Sequence, residues 1–507
     1  MRVIFGEYAP DLPPLVNQKG LVQAKNMRPK GGGYEPVNGL NPLPGATALT
    51  ARPRGSISGI DASGSGYLYV ASGDLDVEPA SKLWVQRDAA TTDISSMNPY
   101  VLGATERWSF AKFGNHVFAA CYTAPMQQHL IGSPLAFADV PQLAPRARHI
   151  ATIGNFLFAG NIYDPQEGPM PDAYSHSALN DPLVWPVIGS NDAAAVQADR
   201  QPLEGNGGWI QDIASGAEIG AVFQERAIHR LDYVGPPAIW QPHRMEEGNG
   251  MFVPYSAVAF ERLVFYIAED GFRIFDYTST QSIGKARISA TFLADLDTQY
   301  IDRVECAKDP DRTVIWIIYP GVGNTGGRPN KVIWYDYALD KFSHGALELE
   351  GLIENASTTP QSIDAPASPG DPDDVDDVTG EDSFDDRPTA SGSSRMGAFS
   401  TTFVANDFSG SALEGLIETG DIEGAPGRFY FIDEIRPLVD GRNVEIAVAE
   451  MNTRQDDVIF GPYLTVDSDG TIPIRSDARY HRLRIKLPAG WEEAVGLDIT
   501  GESSGER

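Results

Sequence analysis

The chain has 507 residues, 42% of them hydrophobic, which is enough for a large core and too many for one ordinary compact domain. Its formal net charge of −30 argues against a protein that grips phosphate backbones through counterion release. Solubility, or a surface that repels polyanions, fits that balance instead.

Residues 1–54 read as an extended N-terminal arm. Pro10, Pro13, Pro14, Pro29, Pro36, Pro42 and Pro44, with the turn Gly31-Gly32-Gly33, rule out a helix there. From 55 to 354 a loose repeat sets in, in which an apolar strand, a Gly, Asn or Asp turn and an aromatic, β-branched strand recur. Ile57–Asp61 leads into Tyr67–Ala71, Trp108–Phe113 into His116–Ala120, and His149–Ile153 into Phe156–Gly160. Ile210–Ile213 leads into Ile219–Phe223, Ala257–Phe260 into Leu263–Ile267, and Asp302–Cys306 into Val314–Tyr319. Further strands follow several pairs, at Lys82–Gln86, Ala227–Leu231, Gly271–Phe275 and Lys331–Asp336. Hairpin, turn and hairpin make one propeller blade, so the fold expected is all-β, a β-propeller of about six blades. Radial packing of such blades leaves only short edges, which suits a chain so rich in strands.

Residues 355–396 break the pattern. Asp371, Asp373, Asp374, Asp376, Asp377, Asp385 and Asp386 crowd among Pro, Ser and Gly, which reads as an acidic flexible loop or linker. A weak divalent-ion site is the alternative use of those carboxylates. Strands resume over 397–500, which reads as an additional C-terminal β unit, sandwich-like or propeller-completing, and 501–507 as a flexible tail. Within the C-terminal unit, 481–487 alternates basic and apolar residues. Arg475, Arg479, His481, Arg482, Arg484 and Lys486 form the one basic cluster, readable as a solvated strand face or as a contact for an acidic neighbouring subunit.

No catalytic signature stands out. The nucleophile elbow, the phosphate-cradling loop and the zinc-protease helix are all missing. The eight histidines show no metal-ligand spacing, so neither a metal nor a cofactor is expected. Cys121 and Cys306 sit in apolar runs and read as buried free thiols. Asp467-Ser468-Asp469-Gly470 reads as a hairpin turn rather than a calcium loop. The tryptophans that recur near blade strands read as blade-packing core, with sugar stacking as the alternative. No apolar run approaches the roughly 20 residues that span a bilayer, and the first residues lack the apolar core of a secretion signal. The expectation is a soluble protein made in a cytoplasm.

One resemblance narrows this. Asp11-Leu12-Pro13-Pro14-Leu15, followed by Ala24-Lys25-Asn26-Met27-Arg28-Pro29-Lys30-Gly31-Gly32-Gly33-Tyr34-Glu35-Pro36-Val37, resembles the start of the nozzle or tail-hub proteins of short-tailed bacteriophages. Shorter echoes occur at Arg107–Gly114, Phe223–Ile228, Ala268–Phe272 and Ala478–Trp491. The resemblance implies a propeller body in a virion tail, assembled as a ring (commonly a homohexamer) below a head-to-tail adaptor ring. It also implies tail fibres or plug proteins docked on that ring, and genomic DNA passing through without specific binding. It supplies no catalytic residues. Six such chains would carry six times −30, or −180, and an acidic lumen lets DNA slide. The competing reading is a propeller-based tail protein that binds or hydrolyses glycans.

Overall fold

The computed structural model describes all residues except 15–19, 74–80, 88–89, 104, 142, 217–218, 357–393, 442 and 506–507. Its architecture is a seven-bladed β-propeller joined to a β-sandwich. Six blades are separate four-stranded sheets, and the remaining one, Glu305–Gly345, is one end of a nine-stranded sheet. Blades one to five are Pro53–Asp93, Ser109–Asp139, Arg146–Pro202, Ile210–Glu247 and Val258–Ser282, each an antiparallel meander in chain order. Blade six is Glu305–Gly345. The innermost strands touch in sequence around the ring, and that of blade seven returns to that of blade one.

The six hairpins read from the sequence are the two inner strands of blades one to six. Blade seven is assembled from pieces: Gly351–Ile353, Gly397–Phe399, Ala405–Asp407 and, as its outer strand, Asn41–Pro42 from the N-terminal segment. The count is therefore seven rather than about six. The boundary expected at 397 falls inside this blade, because residues 397–407 complete the propeller. The acidic residues Asp371, Asp373, Asp374, Asp376, Asp377, Asp385 and Asp386 lie outside the described residues.

Each seam between blades has its own apolar cluster, and strand parity explains how. Side chains alternate across a strand, so a second strand that is apolar throughout serves two seams. Tyr67, Tyr69 and Ala71 pack toward blade two, whereas Leu68 and Val70 pack toward blade seven. In blade six, Ile315 and Ile317 face blade five, whereas Val314, Trp316 and Ile318 face blade seven. This is why Gly66–Ser72 and Val314–Tyr319 are buried along their whole length.

The sandwich takes both ends of the chain. One sheet orders Leu21–Lys25, Gly415–Thr419, Tyr480–Leu487, Glu445–Met451 and Leu464–Thr465. The other orders Met27–Lys30, Gly33–Pro36, Glu493–Gly505, Phe429–Asp440 and Ile472–Ala478, with Arg2–Ile4 also on Glu493–Gly505. Residues 1–54 are thus not a free arm. Pro29, Pro36 and Pro42 fall on short or outlying strands, where a missing N–H costs little, and Pro10, Pro13, Pro14 and Pro44 lie outside the strands. Asp11 caps the helix Ser289–Asp295 from outside, accepting from Ala290 N (2.8 Å) and Thr291 N (2.9 Å). Residues 501–505 are likewise not a loose tail but the end of the strand Glu493–Gly505.

Candidate functional site

The basic cluster is mostly engaged within the chain. Arg484 donates through Nε (3.0 Å) and a terminal nitrogen (2.9 Å) to Glu418 Oε2, and its guanidinium lies 3.8 Å from the Phe460 ring centre. Arg482 binds Asp421 Oδ1 (2.7 Å) and approaches Glu418 (3.6 Å). Lys486 lies 3.7 Å from the Tyr463 ring centre and 3.9 Å from Glu445. Arg479 stacks on Phe429 (5.2 Å). His481 does not belong with these cations. It shares strand parity with Leu483, Ile485 and Leu487 and is fully buried among them, which lowers its pKa. Arg475 is exposed, with a backbone φ of 55°. Of the residues offered as a subunit contact, Arg482, Arg484 and Lys486 therefore hold a hairpin and a neighbouring strand onto their own sheet.

The N-terminal motif forms the weld between sandwich and propeller. Leu21–Lys25 runs parallel to Lys341–Gly345 of blade six and antiparallel to Gly415–Thr419, which makes the two units one sheet. Asn26 turns the chain with φ 59°. Its Nδ2 donates to Glu414 O (3.1 Å), and its Oδ1 accepts from Ala346 N (3.2 Å). Ala24, Met27 and Tyr34 are fully buried, and Tyr34 donates to Gly6 O (2.8 Å). A Cβ on Gly33 would stand 2.1 Å from Ala494 O, so only glycine fits where these strands cross.

A cavity of about 530 Å³ runs down the propeller axis, lined by the inner strands of all seven blades. One polar tie crosses it, and a second joins neighbouring blades beside its wall. Arg107, at blade two, donates to Glu305 Oε1 in blade six (2.5 Å), and Glu305 Oε2 accepts from Leu352 N in blade seven (2.6 Å). His149 Nδ1, in blade three, lies 3.5 Å from Asp212 Oδ1 in blade four, and Asp212 Oδ2 accepts from Ala257 N beside blade five (3.2 Å). Tyr255 sits between the ties, under Arg107 (5.1 Å) and against the His149 ring (4.4 Å). Its backbone φ is 60°, and its enclosed hydroxyl has no hydrogen-bond partner among the described residues. Burial raises its pKa, opposed by Arg148 and Arg107. Glu354 lines the other end of the cavity; it touches solvent yet is ringed by protein, which raises its pKa against the pull of Lys112 and Lys308. Sequence reasoning missed Arg107, Asp212, Tyr255 and Glu305. The available signal was position, because each lies within three residues of the start of an inner strand, or in its first few residues.

Other expectations are placed as follows. Trp108, Trp185, Trp240, Trp316 and Trp334 are buried core; Trp209 is 53% exposed. Both cysteines are free; Cys121 is buried, with its thiol pushed up to about 11, and Cys306 is half-buried in the cavity wall. Asp467 does anchor a turn, accepting from Asp469 N (2.9 Å) and Thr471 N (3.0 Å). That turn is not a hairpin, because it passes from one sandwich sheet to the other. Among the described residues no cluster of metal-ligating side chains occurs, and no helix is long and apolar enough to cross a membrane.

No family model and no curated protein matches the chain. Among solved structures it is similar to U3-55K, at 9% identity and a TM-score of 0.36, covering 64% of this chain and 89% of that one. It is also similar to YCF48 bound to a D1 peptide, at 12% identity and a TM-score of 0.34, covering 62% of this chain and 92% of that one. The fold assignment rests on the blade topology itself.

Proposed function

We propose that the chain is a non-enzymatic structural virion protein that forms the lower ring, or nozzle, of a short phage tail. In that role it is a passive acidic conduit for DNA and a platform for adaptor and fibres. The observation that carries this reading is the weld. The residues that resemble tail-hub proteins, Ala24–Val37, begin on the strand that joins sandwich and propeller and continue into the other sandwich sheet, so the resemblance falls on architecture rather than on an incidental stretch. The axial cavity has the volume of a small-molecule pocket. A duplex would therefore run between copies, not through a propeller. A net charge of −30 per copy supplies the repulsion that keeps such a lumen from binding DNA.

Negative-stain imaging of the purified chain, alone and with the head-to-tail adaptor protein of a short-tailed phage, tests this. A ring with a central hole is expected. A dispersed monomer under both conditions contradicts it. So does glycan hydrolysis that is lost on substituting residues of the axial cavity.

A further inference from the structure

The seams between blades are apolar, but the wall of the axial cavity is polar, and most of its charged and hydroxyl groups are already engaged. Glu305 serves Arg107 and Leu352 N through its two oxygens (2.5 and 2.6 Å). Asp212 accepts from Ile213 N (2.9 Å) and Ala257 N (3.2 Å). Ser56 donates to Leu352 O (3.2 Å) and Thr152 to Lys112 O (2.6 Å), each across to a neighbouring blade. A hydroxyl that has donated still accepts, so both oxygens stay open to a further donor. Lys112, Ala259 and Glu354 line the cavity where the inner strands end, and all three are exposed, so the cavity opens to solvent there.

Tyr255 is the exception. Its ring is held between the Arg107 guanidinium (5.1 Å) and the His149 ring (4.4 Å), and its enclosed hydroxyl has no hydrogen-bond partner among the described residues. An enclosed hydroxyl left unpaired costs free energy, which a bound group that accepts its proton relieves. The cavity therefore offers one unused donor and two unused acceptors on a wall that also carries the half-buried ring of Phe110.

These groups select the ligand by its charge. Arg107 and Glu305 neutralise each other, and backbone N–H groups satisfy Asp212, so a charged ligand would meet no free counter-charge inside. An apolar ligand would leave Tyr255 unpaired. A molecule with several hydroxyls and an apolar C–H face meets both conditions. We propose that the axial cavity is a binding site for a small neutral sugar, in which Tyr255 donates to a ligand oxygen and Ser56 and Thr152 accept from ligand hydroxyls. A volume of about 530 Å³ is within the range of small-ligand pockets. The site binds and breaks no bond. It belongs to a single chain and is filled whether or not copies assemble, so it stands apart from the ring reading.

Saturation-transfer NMR titration of the full chain is the test. The probes are glucose, galactose and N-acetylglucosamine, beside glucuronate and glucosamine in its ammonium form, which put a charge on the same ring. The expected result is saturable binding of at least one neutral sugar, with both charged sugars bound at least about tenfold more weakly. Tyr255→Phe weakens binding by about tenfold, the worth of one hydrogen bond. It also leaves Tm without sugar equal to or above that of the unsubstituted chain, since it removes only an unpaired hydroxyl. Ala259→Trp fills the cavity from its exposed wall and abolishes binding, whereas Arg475→Gln on the sandwich keeps it. The proposal is overturned if no neutral sugar saturates, if a charged sugar binds as tightly, or if binding survives Ala259→Trp. Unweakened binding by Tyr255→Phe also overturns it, as does a lower Tm for that variant without sugar, because the hydroxyl then has a partner inside the chain.

Discussion

Gly33 and Glu418 carry more of the sandwich than their size suggests. A Cβ at position 33 would overlap Ala494 O, so Gly33→Ala must push the strands Gly33–Pro36 and Glu493–Gly505 apart. A loss of about 1–3 kcal/mol is expected, read as a lower urea midpoint, and an unchanged midpoint contradicts the packing. Glu418 is 4% exposed and neutralises Arg484 and, at longer range, Arg482. Glu418→Ala strands those charges and should cost about 3 kcal/mol, the low end for a broken buried pair, because Arg484 keeps some water. Buried histidines set an acid limit. Burial lowers His176 and His229 to about 4, so the folded chain holds these protons less tightly than the unfolded chain. Their contribution is complete above pH 6.5 and is lost as pH falls toward 4, at up to about 1.4 kcal/mol per unit for each. Urea midpoints should therefore drop between pH 7 and pH 4.5, above the range where paired carboxylates titrate; a flat profile contradicts it. Alternation puts His481 with Leu483 and Ile485, and grouping it by residue type with the cations overrode that signal. The Arg107–Glu305 tie was not, because its partners lie about 200 residues apart and nothing local couples them.

Blades one to six were legible because each is a local meander in which turn residues separate apolar runs. Blade seven was hidden for three physical reasons. Its strands are only two or three residues long, 357–393 intervenes, and its outer strand comes from the N-terminal segment. Prolines made that segment read as an arm, although Pro29, Pro36 and Pro42 all lie on strands. The strand Glu493–Gly505 ends in Gly501-Glu502-Ser503-Ser504-Gly505, whose polar composition carries no strand signal; its partner Phe429–Asp440 decides it. Asn41–Pro42 closes the propeller, and Leu43 beside it packs in the seam of blades seven and one. Deleting residues 1–45 removes that closure together with four strands of the sandwich. The truncated chain should lose cooperative unfolding and bind a hydrophobic dye, and a melt superimposable on that of the full chain contradicts the closure.

For the whole molecule, propeller and sandwich share one continuous apolar cluster, from Phe265 and Phe342 in the blades to Ile432, Leu483 and Leu497 in the sandwich. A body welded in this way has one core, as the ring proposed above requires. The axial cavity is crossed by the Arg107–Glu305 ion pair, and at about 530 Å³ it has the volume of a small-molecule pocket. Any conduit is therefore a property of several copies. A cryo-electron microscopy reconstruction of the assembled protein is the most direct measurement of this. The expected result is a closed ring whose lumen lies between copies, is wide enough for a duplex and is lined by carboxylates, with every propeller axis off the ring centre. A particle that stays monomeric, or a ring whose lumen wall is basic, contradicts it.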